Sequence, residues 1–79
     1  MSNKIAILAH VSNSVYAFQK RNDLTPKDFT AKYHWVQSID DARGRIFSGY
    51  IKLWSWEDID GIAAIMYHFS RHDIQEVPE

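Results

Sequence analysis

Twice in 79 residues the chain writes the same helix start. In Leu24-Thr25-Pro26-Lys27-Asp28-Phe29, Thr25 stands where an N-cap hydroxyl is wanted, Pro26 at the first helical position, and Asp28 where a carboxylate reaches back to the cap. Leu24 and Phe29 then occupy the two positions of a hydrophobic staple. Trp54-Ser55-Trp56-Glu57-Asp58-Ile59 repeats the recipe, with Ser55 as cap, Asp58 as its partner and Trp54 against Ile59 as staple. Glu57, Asp58 and Asp60 also crowd the positive end of that helix, where the dipole favours them.

Beyond each cap the apolar residues continue at helical spacing. Phe29, Tyr33 and Val36 form one stripe, and Ile59, Ile62, Ile65, Met66 and Phe69 a broader one. The second helix is expected to run to about Asp73 and to leave a frayed tail over 74–79. Between the helices, Arg45 to Trp54 alternates, with Phe47, Ile51 and Leu53 on one side and Ser48, Tyr50 and Lys52 on the other. That is the pattern of a strand with one face buried. Asp40, Asp41 and Gly44 mark the turn into it, and Gly49 suggests a bulge or hairpin bend. At the N-terminus, Lys4 to Val11 and Val15 to Lys20 read as two strands joined at Ser12-Asn13-Ser14, with a Ser12-capped helix to about Arg21 as the rival reading. The expected fold is therefore α+β: a small antiparallel sheet in the order β-β-α-β-α, with both helices on one face, in a single domain spanning 1–79.

A core this small supplies roughly 3 to 5 kcal/mol unless something reinforces it. Disulfides cannot do so, because there is no cysteine. Three Trp, four Tyr and four Phe, 14% of the chain, are the available compensation, and a homodimer is the other route. Absence of cysteine and of any apolar run near the ~20 residues needed to span a bilayer places the chain in the cytoplasm as an expectation. The net charge is −1, but residues 1–34 carry five Lys/Arg against two Asp, and residues 35–79 carry four against eight Asp/Glu. One end is basic and the other acidic, a distribution that biases encounters with charged partners.

Little in the chain suggests catalysis. His68 and His72 stand at i and i+4, a spacing that can hold zinc, but no glutamate follows the first and no cysteine exists, so no metal is expected. His10 and His34 are isolated in sequence. Gly44, Gly49 and Gly61 match no nucleotide-binding fingerprint, and no other cofactor is implied. Ser12, Ser14, Ser38 and Ser55 are accounted for by turns, a helix end and a cap, and Asp40 and Asp41 are adjacent and point apart. The chain is read as a non-enzyme.

Two kinds of partner remain. Tyr50 on the outward face of the strand, Trp54 and Trp56 beside the second cap, and Trp35 off the apolar stripe are side chains of the type that anchors protein interfaces. With Glu57, Asp58 and Asp60 they point to a protein-interaction domain directed at a basic, nucleic-acid-binding surface of a larger partner. Compact acidic-tailed proteins of this size occur among inhibitors that phages and other mobile elements direct at host protein complexes, an analogy of composition. The second reading is nucleic-acid binding. Leu24-Thr-Pro-Lys-Asp-Phe-Thr-Ala-Lys-Tyr-His34, followed by Arg45-Ile-Phe-Ser-Gly-Tyr-Ile51, resembles the excisionase-type winged helix-turn-helix. The resemblance implies a recognition helix over 39–48, a wing from Tyr50 to Trp54, and DNA contacts from Lys27, Lys32, Arg43 and Arg45. A pI near 6.4 supplies little of the basic stripe such binding uses, which ranks this reading second. A homodimer formed through the aromatic surface ranks third.

Overall fold

A computed structural model describes residues 3–79. Its first element, β1 (Ile5–Leu8), reads Ile-Ala-Ile-Leu without alternation, because both of its faces are covered. Ala6 and Leu8 enter one apolar cluster with Val36, Tyr50, Ile65 and Phe69, whereas Ile7 enters another with Val15, Phe18, Phe29 and Ile51. A continuous apolar run is what a strand buried on both sides requires.

The next element is α1 (Ser12–Arg21), so the helix reading of Ser12-Asn13-Ser14 is the one the structure bears out, and the hairpin is not formed. Val15 and Phe18, three residues apart, bury its inner face. α2 (Pro26–Lys32) follows and starts as the sequence predicts: the Asp28 amide donates to Thr25 Oγ1 at 3.1 Å, and the Thr25 amide to Asp28 Oδ2 at 3.3 Å. It is shorter than the apolar stripe implied. Tyr33 takes extended geometry and begins β2 (Tyr33–Val36), its ring packed 5.2 Å from Phe18 and 5.5 Å from Phe29. The Phe29, Tyr33, Val36 spacing thus spans a helix and a strand. α3 is one turn, Ile39–Ala42, and β3 covers Gly49–Lys52 only.

All three strands are parallel, in the order β2-β1-β3, with Ile5 opposite both Tyr33 and Gly49. Helices and strands share one small fold, as expected, but the antiparallel sheet with both helices on one face is replaced by a parallel sheet covered on both. α1 and α2 pack on one face and α3 and α4 (Ile62–Arg71) on the other. The physical reason is connectivity: parallel neighbours need a crossover, and each pair of successive strands here is separated by helix.

The tail expected to fray lies along β3. Ile74 is buried, the Tyr50 amide donates to the Gln75 carbonyl at 3.1 Å, and the Val77 amide to the Tyr50 carbonyl at 2.9 Å. Gly49 is neither bulge nor bend. A Cβ there would sit 2.8 Å from Val77 Cγ1, so the glycine is what lets the tail approach. No helix among the described residues is long and apolar enough to cross a membrane.

Candidate functional site

In a parallel sheet the chain leaves every strand at the same end, and ligands of such folds gather where neighbouring strands send their connections to opposite faces. Here β1 exits toward α1 while both its neighbours, β2 and β3, exit toward α3 and α4 on the other face, and the junction of β1 with β3 is one such point. A groove of about 280 Å³ opens there, lined by Asn13, Ser14, Ala17, Arg21, Leu53 and Trp54. A second cleft of about 350 Å³ lies between α4 and the tail, around Met66, Phe69 and Gln75, away from the strand exits.

Trp54 dominates the groove. It is 79% exposed, the most exposed of the large apolar side chains, yet its main chain is held: Ser14 Oγ donates to the Trp54 carbonyl at 3.1 Å. The Leu53 amide also donates to the Leu8 carbonyl at 2.9 Å. Ser55 does not cap a helix. It takes left-handed geometry at φ 65°, makes no cap hydrogen bond, and buries its Oγ without a partner. Only a single 3-10 turn, Trp56–Asp58, follows, and α4 starts at Ile62 behind Gly61 at φ 75°. Trp54 is therefore not a staple residue. Glu57 and Asp58 are exposed on this short turn and Asp60 is exposed just before Gly61, so none of the three lies in the first turn of α4.

The remaining aromatic candidates are structural to different degrees. Tyr50 does not face outward: it is 9% exposed and stacks on Phe69 at 4.8 Å between centroids, because both sides of β3 are covered. Trp35 is half-buried and donates from Nε1 to the Ala9 carbonyl at 2.8 Å, which fixes the exit of β1. Trp56 is half-buried under the Lys52 ammonium, 4.4 Å above its ring, and packs against the α4 side of the core. Lys52 also meets Glu76 at 3.5 Å. Of the four aromatics, Trp54 alone is free to contact a partner.

The tail reaches the groove through Arg21, one of its lining residues. Glu79 grips Arg21 through both carboxylate oxygens, at 2.6 and 2.9 Å. The guanidinium holds the carboxyl of Glu79 below the usual carboxylate range by hydrogen bonding and charge, against a smaller opposing effect of burial.

The geometry implied by the winged-helix resemblance is absent. Residues 39–48 contain one four-residue helix followed by irregular chain, and Tyr50 to Lys52 form the strand next to β1, on the opposite side of it from β2. Lys27 and Lys32 are exposed on α2, and Arg43 and Arg45 on the separate connection from α3 to β3, where Arg43 lies 3.5 Å from Asp40. The rings of His68 and His72 stand 4.6 Å apart, and among the described residues no third metal-ligating side chain joins them. No protein family, curated protein or solved structure matches the chain.

Sequence reasoning missed Ser14, Arg21 and Glu79. Arg21 and Glu79 are 58 positions apart and meet only because the tail docks beside β3. The signal for the groove was the run Lys-Ile-Ala-Ile-Leu-Ala, whose lack of alternation marks a central parallel strand and hence a strand exit at His10.

Proposed function

We propose that the chain is a non-catalytic protein-interaction domain that occupies a basic surface on a larger protein complex and so inhibits it. The observation that carries this reading is Trp54. A large indole exposed to solvent costs solubility and contributes little to this core, while its fixed main chain means that docking it loses little conformational entropy. Tryptophan in such a setting is the commonest type of interface anchor. Glu57, Asp58 and Asp60 stand within six residues of it, all exposed and none in an ion pair among the described residues. They give the docking face a negative rim that would draw it to a cationic partner. Trp35 and Trp56 are half-buried against the two sides of the core, and Tyr50 belongs to the core.

The test is capture of partners by the tagged protein from a nuclease-treated lysate, with Trp54→Ala in parallel. A stoichiometric partner that survives nuclease and is lost with Trp54→Ala is the expected result. Recovery of the chain alone, or of proteins only when nucleic acid is intact, overturns the reading.

A further inference from the structure

The end of the sheet opposite Trp54 has a different chemistry. Lys4 precedes β1, Arg45 lies in the segment entering β3, and the Ser48 amide donates to the Lys4 carbonyl at 3.0 Å, which ties the two segments together. His34, second residue of β2, is near enough to both to feel their charge, and burial with the fields of Arg45 and Lys4 lowers its pKa despite the opposing field of Asp41. α4 ends at the same place: His68 Nε2 is 3.5 Å from the Arg45 carbonyl, and His72 stands against His68.

Two features mark this surface. First, the ion pairs of the described residues are Arg21–Glu79, Arg43–Asp40 and Lys52–Glu76, so Lys4, Arg45 and Arg71 belong to none of them, as is also true of Lys20, Lys27 and Lys32, and it is their placement at one edge that distinguishes the three. A helix C-terminus explains Arg71 and His72, since the dipole favours cations there, whereas Lys4 precedes a strand and Arg45 follows only the single turn α3. Second, rings are interleaved with the cations. Tyr67 is 66% exposed one position before His68, His72 is exposed, and Ile46, at 64% exposure, follows Arg45. The acids nearby are Asp41 and Asp73, fewer than the cations.

We propose that this N-terminal edge of the sheet, built from Lys4, Arg45, Tyr67, His68, Arg71 and His72, is a binding surface for single-stranded nucleic acid. Phosphates meet the three unpaired cations, while unpaired bases stack on the tyrosine and imidazole rings, contacts that tolerate any base. A duplex hides its bases and leaves those rings idle. α3, beside this edge, is a single turn, too short to serve as a recognition helix. The surface is on the opposite end of the sheet from Trp54 and acts independently of it.

Fluorescence anisotropy with a labelled oligothymidylate of about 20 nucleotides, and a duplex of equal length, tests the proposal. The single strand should bind more tightly than the duplex, with a log–log salt slope of about −2 for three phosphates at about 0.7 each. Lys4→Glu with Arg45→Glu should weaken binding at least about tenfold at low salt. Tyr67→Ala with His72→Ala should remove the preference for the single strand and leave the salt slope unchanged. Lys27→Glu, on α2, and Trp54→Ala should have no effect, the latter separating this surface from the protein-binding one. Far-UV circular dichroism and thermal melting confirm that each variant is folded. Absence of binding by the unmodified protein, equal affinity for the duplex, or equal weakening by Lys27→Glu overturns the proposal.

Discussion

Thr25 and Ser55 open the same six-residue phrase and end in opposite conformations. At Thr25 the phrase does what its residues favour: Pro26 presets the backbone angle of the first helical turn, and the hydroxyl and the Asp28 carboxylate exchange bonds with the two amides. Leu24 and Phe29 close over the α1 side of the core. At Ser55 the second residue is Trp56, which has no such preset, and the strand just ended must deliver its chain over the sheet edge. Ser55 turns left-handed, its hydroxyl is buried without a partner, and Trp54 swings into solvent while Ile59 still reaches the core. The difference bears on the proposed site. Departures from local preference persist where function needs them, and here a left-handed non-glycine, an orphaned hydroxyl and an exposed indole fall on two adjacent residues.

Substitution at the staple positions gives the largest expected contrast. Trp54→Ala should reduce affinity for the captured partner by about 2 kcal/mol or more, and change the free energy of unfolding by less than about 0.5 kcal/mol, as for other exposed positions. Leu24→Ala, its counterpart, should destabilise the fold by about 1 to 2 kcal/mol, since it is half-buried against Phe29's cluster, and leave affinity unchanged. Urea unfolding and a binding titration on both variants measure this; a Trp54→Ala variant that unfolds as easily as Leu24→Ala would return Trp54 to the core. The cap positions should differ in sign. Thr25→Ala removes a working cap and should cost about 1 kcal/mol. Ser55→Gly relieves the left-handed strain and the orphaned hydroxyl, and should stabilise by about 1 kcal/mol. Destabilisation by Ser55→Gly would mean that the hydroxyl has a partner.

Much of this molecule was legible in its residues and some was not, for reasons the two phrases share. The capping box at Thr25 was readable because every atom involved lies within four residues. Ser55 was misread because its conformation is set by the parallel partner β1, more than 40 positions away, to which Leu53 is still bonded. The same distance hid the antiparallel-to-parallel difference: alternation across Arg45 to Trp54 suggested one buried face, yet Tyr50 and Ile51 are both buried, one on each side. A local signal did go unread. Arg21-Asn22-Asp23-Leu24 and Arg71-His72-Asp73-Ile74 each end a ten-residue helix with a left-handed aspartate, φ 54° and 56°, and an aliphatic amide bonded five residues back, at 2.8 Å in both. This is the Schellman closure with aspartate in the place glycine usually takes. Of the candidate site, Trp54 and the acids beside it were named from the sequence, Trp54 also as a staple residue; the groove was not, because Arg21 and Glu79 have no relation in sequence.

The acids sharpen the comparison kinetically. Asp28 belongs to a cap, whereas Glu57, Asp58 and Asp60 cap nothing, so reversing all three to lysine should leave stability within about 0.5 kcal/mol. It should slow association with the captured partner several-fold and flatten its salt dependence, with dissociation little changed, in a stopped-flow or surface-binding measurement. Unchanged association would remove the acidic rim from the account and leave Trp54 to act alone.

The smallest effect uses pH to show that the two phrases are independent of the basic edge. Burial and the nearby Arg45 and Lys4 hold the His34 pKa below its ordinary value near 6.5, so the folded protein binds this proton less readily than the unfolded chain. The stability this contributes is complete above pH ~6.5 and is lost as pH falls from there through the folded-state value. Unfolding at pH 7.5 and 5.5 should therefore show a modest loss on acidification, and His34→Gln should remove the part due to this group. Thr25 and Ser55 stand on the connections to α2 and α4, away from that imidazole, so the opposite signs of Thr25→Ala and Ser55→Gly should persist at both pH values. A Ser55→Gly effect that vanishes at pH 5.5 would show that the two ends of the sheet are coupled through β3, and the orphaned hydroxyl would then report on the charge at His34 rather than on its own turn.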